Sequence, residues 1–555
     1  MSKKVNKIIT SDDLIDISKN LDGIVDDIDD NLNENPSSQI FKFFATFLIV
    51  ILFGFSIISS FIFGNDTSTE NVKKPIGQSQ TINTSNASIL CPGAIEPYDE
   101  YEGIEGAYSS MPTKPEVQNI FLGLGLNDEN PIQKLGYDKN DTLGNIDIIN
   151  GDFDLAVAIN PDPTPSVFYS SNDPDQSKTG IAGVSISKLN DGDFKGISTA
   201  NCTVPSTDTW LVANETFSQN SNILMLYNPN LTSANVALTA FGTDDPTVIS
   251  KNVFSIESGL STADVSSLQY SASKQISVPG GEFVKVPLGS GAADQDALII
   301  NVKSSGVKIS AQIQSSILDG IVSLGSDYSS PTATPSNELV IPGIYKSESA
   351  NSKLEILGFS DIKIDLDLIN SDGTIFSKKL DLESGKVTIF DLNENELSAG
   401  KYTAVLKTDC SESSLECLIV GGAVTRNATE LAYTTAIKSA NSLIIPSTNF
   451  AQGTLNLYSS ETENAIVISY NNEGVAVKTT EIAFDKKYIA IPISDLYDQA
   501  DTLGGIQIVS LDSTEHEIYA NINLSTSNGY LSTINSYSTD LITKNVNIYR
   551  LELLK

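Results

Sequence analysis

The stretch ISAQIQSSILDGIVSLGSDYS, residues 309–329, returns at 518–538 as IYANINLSTSNGYLSTINSYS. Ile309-x-Ala311-x-Ile313, Gly320-x-x-Ser323 and Tyr328-Ser329 match Ile518-x-Ala520-x-Ile522, Gly529-x-x-Ser532 and Tyr537-Ser538 with identical spacing. Fixed-period self-similarity marks a repeated folding unit. Upstream, Leu224-x-Leu226-Tyr227 corresponds to Leu455-x-Leu457-Tyr458, and an alanine, Ala234 or Ala465, follows seven residues later in each copy. The two ends give offsets of 209 and 231 residues, so the first copy carries 22 more, placed in the Ser-rich stretch 244–275. A looser copy lies between them: KLEILG at 353–358, IKIDLDLI at 362–369 and KYTAVLK at 401–407. In it Tyr433-Thr434 leads to Ile445-Pro446 much as Tyr328-Ser329 leads to Ile341-Pro342.

Runs such as 309–315 and 516–522 alternate apolar with polar residues, the pattern of a strand with one buried face. Turn residues interrupt them every ~8–12 positions, which favours antiparallel sandwiches over parallel sheets with crossover helices. Three tandem sandwiches are therefore expected, over 206–345, 346–446 and 447–555. Before them, the runs 145–149, 153–159, 166–170 and 180–188 predict a separate β-rich domain over 91–205.

All four cysteines, Cys91, Cys202, Cys410 and Cys417, fall in this β-rich portion. Cys410 and Cys417 flank the short loop SESSLE and are expected to pair, which leaves Cys91 for Cys202. No C-x-x-C or Cys/His cluster offers a metal site. An even number of cysteines suits an oxidising compartment.

Ahead of the cysteines stands FFATFLIVILFGFSIISSFIF, residues 43–63, free of any charge. At ~1.5 Å per residue a helix of that length reaches roughly 30 Å, the depth of a bilayer's hydrocarbon. It begins too late and runs too long for a cleaved leader, and no A-x-A pattern follows it, so it reads as an uncleaved single-pass anchor. Lys42 on one side and Lys73 and Lys74 on the other leave the flanking charge nearly balanced. Orientation therefore rests on the cysteines, which put residues 64–555 outside the cell and 1–42 in the cytoplasm. Residues 64–90 are polar and aperiodic and read as a stalk.

Within the tail, Leu14, Ile17, Leu21, Ile24 and Ile28 fall three or four apart, one stripe of a helix that Ser11 is placed to cap. Its opposite face is acidic, so the stripe suits a protein partner or self-association better than an anionic leaflet. The whole chain carries 69 acidic and 34 basic residues, a net charge of -35. Nucleic acid, which requires clustered Lys and Arg, is excluded as a partner.

Catalytic motifs are scarce. His516 is the sole histidine, so any Ser/His/Asp or Cys/His arrangement would need it. No phosphate-binding glycine loop, nucleophile elbow or H-E-x-x-H occurs. Asp365, Asp367, Asn370 and Asp372-Gly373 suggest a calcium loop, but miss its spacing and read more simply as a strand and turn. No cofactor is implied.

Cys91-Pro92-Gly93, Cys202, Trp210-Leu211-Val212, Leu224-x-Leu226-x-Asn228-Pro229, Val236-x-Leu238 and Ile341-Pro342-Gly343 together resemble a family of membrane-anchored extracytoplasmic proteins of actinobacteria, classed only as a domain of unknown function. The likeness covers residues 91–345 and departs at Ala94, where a second proline is expected. It implies a cell-envelope location and brings no catalytic residues. The expected protein is a non-catalytic structural or interaction protein that displays β-sandwich modules to an envelope protein or polysaccharide. A transmembrane sensor is the alternative, with an enzyme acting on glycan or peptidoglycan behind it.

Overall fold

Strand Asp208–Ala213 pairs with Leu298–Ser305 rather than with its chain neighbour, and that crossing repeats along the chain. In the computed structural model the second repeat unit runs Asp208–Ala213, Asn220–Tyr227, Ala234–Gly242, Ser271–Val278, Phe283–Pro287, Leu298–Ser305, Ser310–Asp319 and Val322–Ser329. One sheet has the order first, sixth, third, fourth; the other has fifth, second, seventh, eighth. All pairings in it are antiparallel. The structure describes residues 79–83, 88–95, 116–124, 132–136, 144–145, 149–150, 155–160, 166–170, 545–549 and 180–538. From the last span 231, 244–270, 321, 374, 411–414, 448–450, 499–501, 513–517, 528 and 530 are excepted.

The same strand order occurs three more times. The third module opens with Glu338–Lys346 and ends with Leu431–Thr435; the fourth opens with Ser442–Pro446 and ends with Leu531–Asn535. In the third, a single pair, Lys346 with Asn351, joins the two sheets into one folded eight-stranded sheet. The first module, from Ser88–Cys91 to Gly196–Asn201, has the same order, with a short extra strand, Ile149–Asn150, on its edge. The region expected to be a separate β-rich domain is thus a fourth copy. The looser middle copy has the full topology.

Module boundaries fall one strand earlier than the repeat suggests. Ile341 and Ile445 follow the tyrosine motifs in sequence, yet each lies on the first strand of the next module, paired with that module's sixth strand. The extra length of the second module falls in 243–270, joining its third and fourth strands, where the fourth module needs only 472–475. Strands Ser79–Asn83 and Asn545–Tyr549 pair with each other outside the four modules, and the former lies in the segment read as a stalk. All described residues belong to one unit, Ser79–Tyr549. Residues 1–78, with the apolar run 43–63 and the stripe of Leu14 to Ile28, lie outside the described residues. Among the described residues no helix is long and apolar enough to cross a membrane.

Each module buries a core between its two sheets. In the second, Leu211, Val236 and Ile300 from one sheet meet Leu224, Leu226, Ala311 and Ile313 from the other. These are the alternating apolar positions of the repeat. The first sheet of each module also packs against the second sheet of the next. Trp210, Phe241 and Ile299 of the second module meet Leu357, Val420 and Val424 of the third. Val340, Ile369 and Val405 of the third meet Tyr458 and Tyr488 of the fourth. Ile444 and Tyr470 of the fourth meet Leu122 and Val157 of the first. Leu90 of the first meets Tyr227 and Phe283 of the second. The four modules therefore close into a ring.

Closure explains a departure from the expected alternation. Strand Ser310–Asp319 is buried on both faces, polar residues included, because its second face lies at a module junction. There Gln312 Nε2 donates to Asn201 O across the first junction at 2.6 Å. Asn521 Nδ2 donates to Pro342 O at 2.8 Å across the third. Pro342 and Gly343 form a bulge between Ile341 and Ile344, and a side chain at Gly343, whose φ is +77, would strike Asn456 and Asn523.

Trp210 tests the apolar part of this joint. It is 5% exposed and packs between Phe241 and Phe359, with ring centroids 5.8 and 5.4 Å away. Trp210→Ala is expected to cost about 4 kcal/mol in denaturant unfolding, by loss of burial and creation of a cavity.

Candidate functional site: a buried carboxyl hub and an open cleft

The eighth strands of the four modules meet at the centre of the ring. Thr199 N donates to Asp327 Oδ1 at 3.0 Å, joining modules one and two. Tyr433 N donates to Asp327 Oδ2 at 3.2 Å, joining two and three. The hydroxyls of Thr434 and Thr533 lie 3.2 Å apart, joining three and four. Asn201 Nδ2 donates to Asn535 O at 2.7 Å and Asn535 N donates to Asn201 Oδ1 at 2.9 Å, joining four and one. Ser532 Oγ also donates to Asp327 Oδ1 at 2.8 Å, so this carboxyl touches all four modules.

Glu430, just before the third module's eighth strand, extends the hub. Ile197 N of the first module and Ser326 N of the second donate to its carboxyl, each at 3.1 Å, and Leu431 N donates at 3.2 Å. The backbone comes so near at Gly325, φ +120, that a Cβ there would lie 2.2 Å from Leu431 N. Only glycine fits.

Burial dominates the electrostatics. It pushes Asp327 up to about 8, although the hydrogen bonds to Thr199, Ser532, Tyr328 and Tyr433 pull the other way. Burial, helped by the neighbouring Asp327 charge, raises Glu430 well above the usual carboxylate range. Glu355, buried at the junction of modules two and three, is likewise raised well above that range by burial. Arg426 and Glu215 form an ion pair nearby, across the same junction.

A carboxyl whose folded pKa is raised contributes stability that is complete below its unfolded pKa and lost as pH rises through the folded value. For Asp327 the window runs from about pH 4 to about 8. Stability is accordingly expected to fall by roughly 2–4 kcal/mol between pH 5 and pH 8, read from urea midpoints. The fall should shrink in Asp327→Asn.

Asp327 and Glu430 are 1% and 0% exposed, and the oxygens described here accept from protein groups. That arrangement binds modules together and gives a substrate no access. An open cleft of about 670 Å³ lies where strand ends of modules one and four converge, lined by Lys188, Asn190, Gln452, Thr454, Tyr497 and Ser525 among others.

Cys91 is bonded to Cys202 and Cys410 to Cys417. The first bond ties the opening strand of module one to the residue after its last strand. Asp365 pairs with Lys379 at 2.6 Å, Ser377 donates to Asp367, and Asn370 Oδ1 accepts from Asp372 N. These acidic residues thus serve the hairpin Ile362–Leu382. Among the described residues no group of three or more His, Cys, Asp or Glu is placed to hold a metal. His516 lies outside the described residues.

The hub residues had no distinguishing sequence signal. Asp327 stands beside the repeated Tyr328-Ser329, and Glu430 is one of 69 acids. Residues 157–487, more than half of the chain, match a family described as "Family of unknown function (DUF5719)". No curated protein and no solved structure matches the chain.

Proposed function

The chain belongs to this family of unknown function, DUF5719, and on that footing we propose a non-catalytic, single-pass interaction protein of the cell envelope. Residues 43–63 anchor it, residues 1–42 lie in the cytoplasm, and the ring stands outside as a display platform. The observation that carries this reading is the hub: the deeply buried carboxyls are used to join modules, while loop ends and strand edges are left to meet partners. Two disulfides in the body and the resemblance of residues 91–345 to actinobacterial envelope proteins support the outer location.

Protease added to intact cells should digest the body and spare the tail, and a C-terminal bait should recover an envelope protein or polysaccharide from membranes. A body sheltered from protease would refute the orientation. The periodic stripe at Leu14, Ile17, Leu21, Ile24 and Ile28 favours the sensor as a second reading. Deleting residues 1–36 separates the two: a platform keeps its outer binding, and a sensor loses its downstream response.

A further inference from the structure

Resting on the envelope-interaction reading, we infer that the cleft between modules one and four binds a neutral segment of envelope polysaccharide. Its walls come from elements that ring closure brings together. Lys188 and Asn190 stand at the end of the seventh strand of module one, Gln452 and Thr454 open the second strand of module four, and Ser525 ends that module's seventh. At about 670 Å³ the cleft falls within the range of small-molecule sites.

The lining chemistry selects the ligand class. Amides (Asn190, Gln452) and hydroxyls (Thr454, Ser494, Ser525), each able to donate and accept, line the walls, as a sugar's hydroxyls require. Tyr497 adds an aromatic ring against which the C–H face of a pyranose can pack. Among the described residues that line the cleft there is no Asp or Glu, although the chain has 69. Lys188, the one cation among the described lining residues, lies 4.0 Å from Glu116, which also accepts from Asn190 Nδ2 at 3.4 Å. With that charge offset and a net charge of -35 around it, the site disfavours polyanions. Thr454 is further prepared: Lys401 Nζ donates to its Oγ1 at 2.6 Å, which occupies an acceptor position and frees its proton for a ligand oxygen. A peptide would call for an apolar pocket or a free strand edge, and the walls are mostly polar.

Calorimetry on the full-length chain in detergent tests this, with chitotetraose and cellotetraose as neutral probes and tetragalacturonate as the anionic one. At least one neutral probe should bind saturably, at roughly 0.1–1 mM, and the anionic probe more weakly. Tyr497→Ala should weaken binding about tenfold and Tyr497→Phe should leave it nearly intact. Tyr497 also packs on the module core, so a second variant joins Asn190→Ala with Gln452→Ala. Both residues are exposed, and the pair should weaken binding several-fold in a fully folded chain. No saturable neutral binding, tighter anionic binding, or binding indifferent to the double variant overturns the assignment. If the chain still captures an envelope component in any of those cases, the site falls and the proposed function stands. Sugar binding without envelope capture does the opposite: the site stands and the proposed function falls.

Discussion

Asp327→Ala is expected to lower the unfolding free energy of the chain by on the order of 5 kcal/mol. The residue is 1% exposed, and the substitution leaves Thr199 N–H, Tyr433 N–H and Ser532 O–H facing a void without an acceptor. Each orphaned buried donor costs roughly 1–3 kcal/mol. Relief from burying an ionisable group offsets part of this, and the relief grows with pH because burial disfavours the charged form. The deficit should therefore be larger at pH 5 than at pH 8 in matched urea titrations. Asp327→Asn, whose amide oxygen still accepts, should lose less at both. Because the three donors belong to modules one, three and four, the alanine variant should also unfold less cooperatively than the parent chain.

Removing the Cys91–Cys202 bond by double substitution to serine should cost about 4–5 kcal/mol on the chain-entropy account, since it closes a loop with a sequence separation of 111. Removing Cys410–Cys417, with a separation of 7, should cost about 2.5 kcal/mol. Denaturant midpoints of the two variants check the order. Equal losses would show that the larger loop is already constrained in the unfolded chain. The first loss should weaken module one most, and with it both of its junctions in the ring.

The repeat was legible because strand alternation and turn spacing are written in apolar residues: Leu224, Leu226, Ala311 and Ile313 do lie in one core. Closure was not legible, because it rests on residues of the other faces, apolar and polar alike, which in a lone sandwich would meet water. Gln312 and Asn521 are of this kind, both 0% exposed.

One alignment misled for a physical reason. Tyr328 and Tyr537 are equally spaced from the preceding motifs, yet Ile313 pairs with Ser329 whereas its counterpart Ile522 pairs with Ile534. The second module's seventh strand runs to Asp319, three positions past the equivalent of Ser525 where its counterpart ends, and a bulge between Ser316 and Leu318 adds one more residue to the shift. Tyr328 therefore sits on an eighth strand, while Tyr537 lies past one and pairs with Ile444. Aligned by strand pairing, the fourth-module counterpart of Asp327 is Ser532, whose hydroxyl donates to it across the hub. The first module escaped notice because its strands share the topology of the others without their apolar spacing.

Thr199 and Ser532 are 333 residues apart in sequence, and their hydroxyls lie 2.6 Å apart where the fourth module returns to the first. Oxidising a Thr199→Cys, Ser532→Cys variant and comparing its mobility with and without reductant tests ring closure directly. A closed ring predicts rapid formation of a third disulfide and a faster-migrating band that reductant abolishes. Two thiols that stay free under oxidant in a folded chain would contradict it.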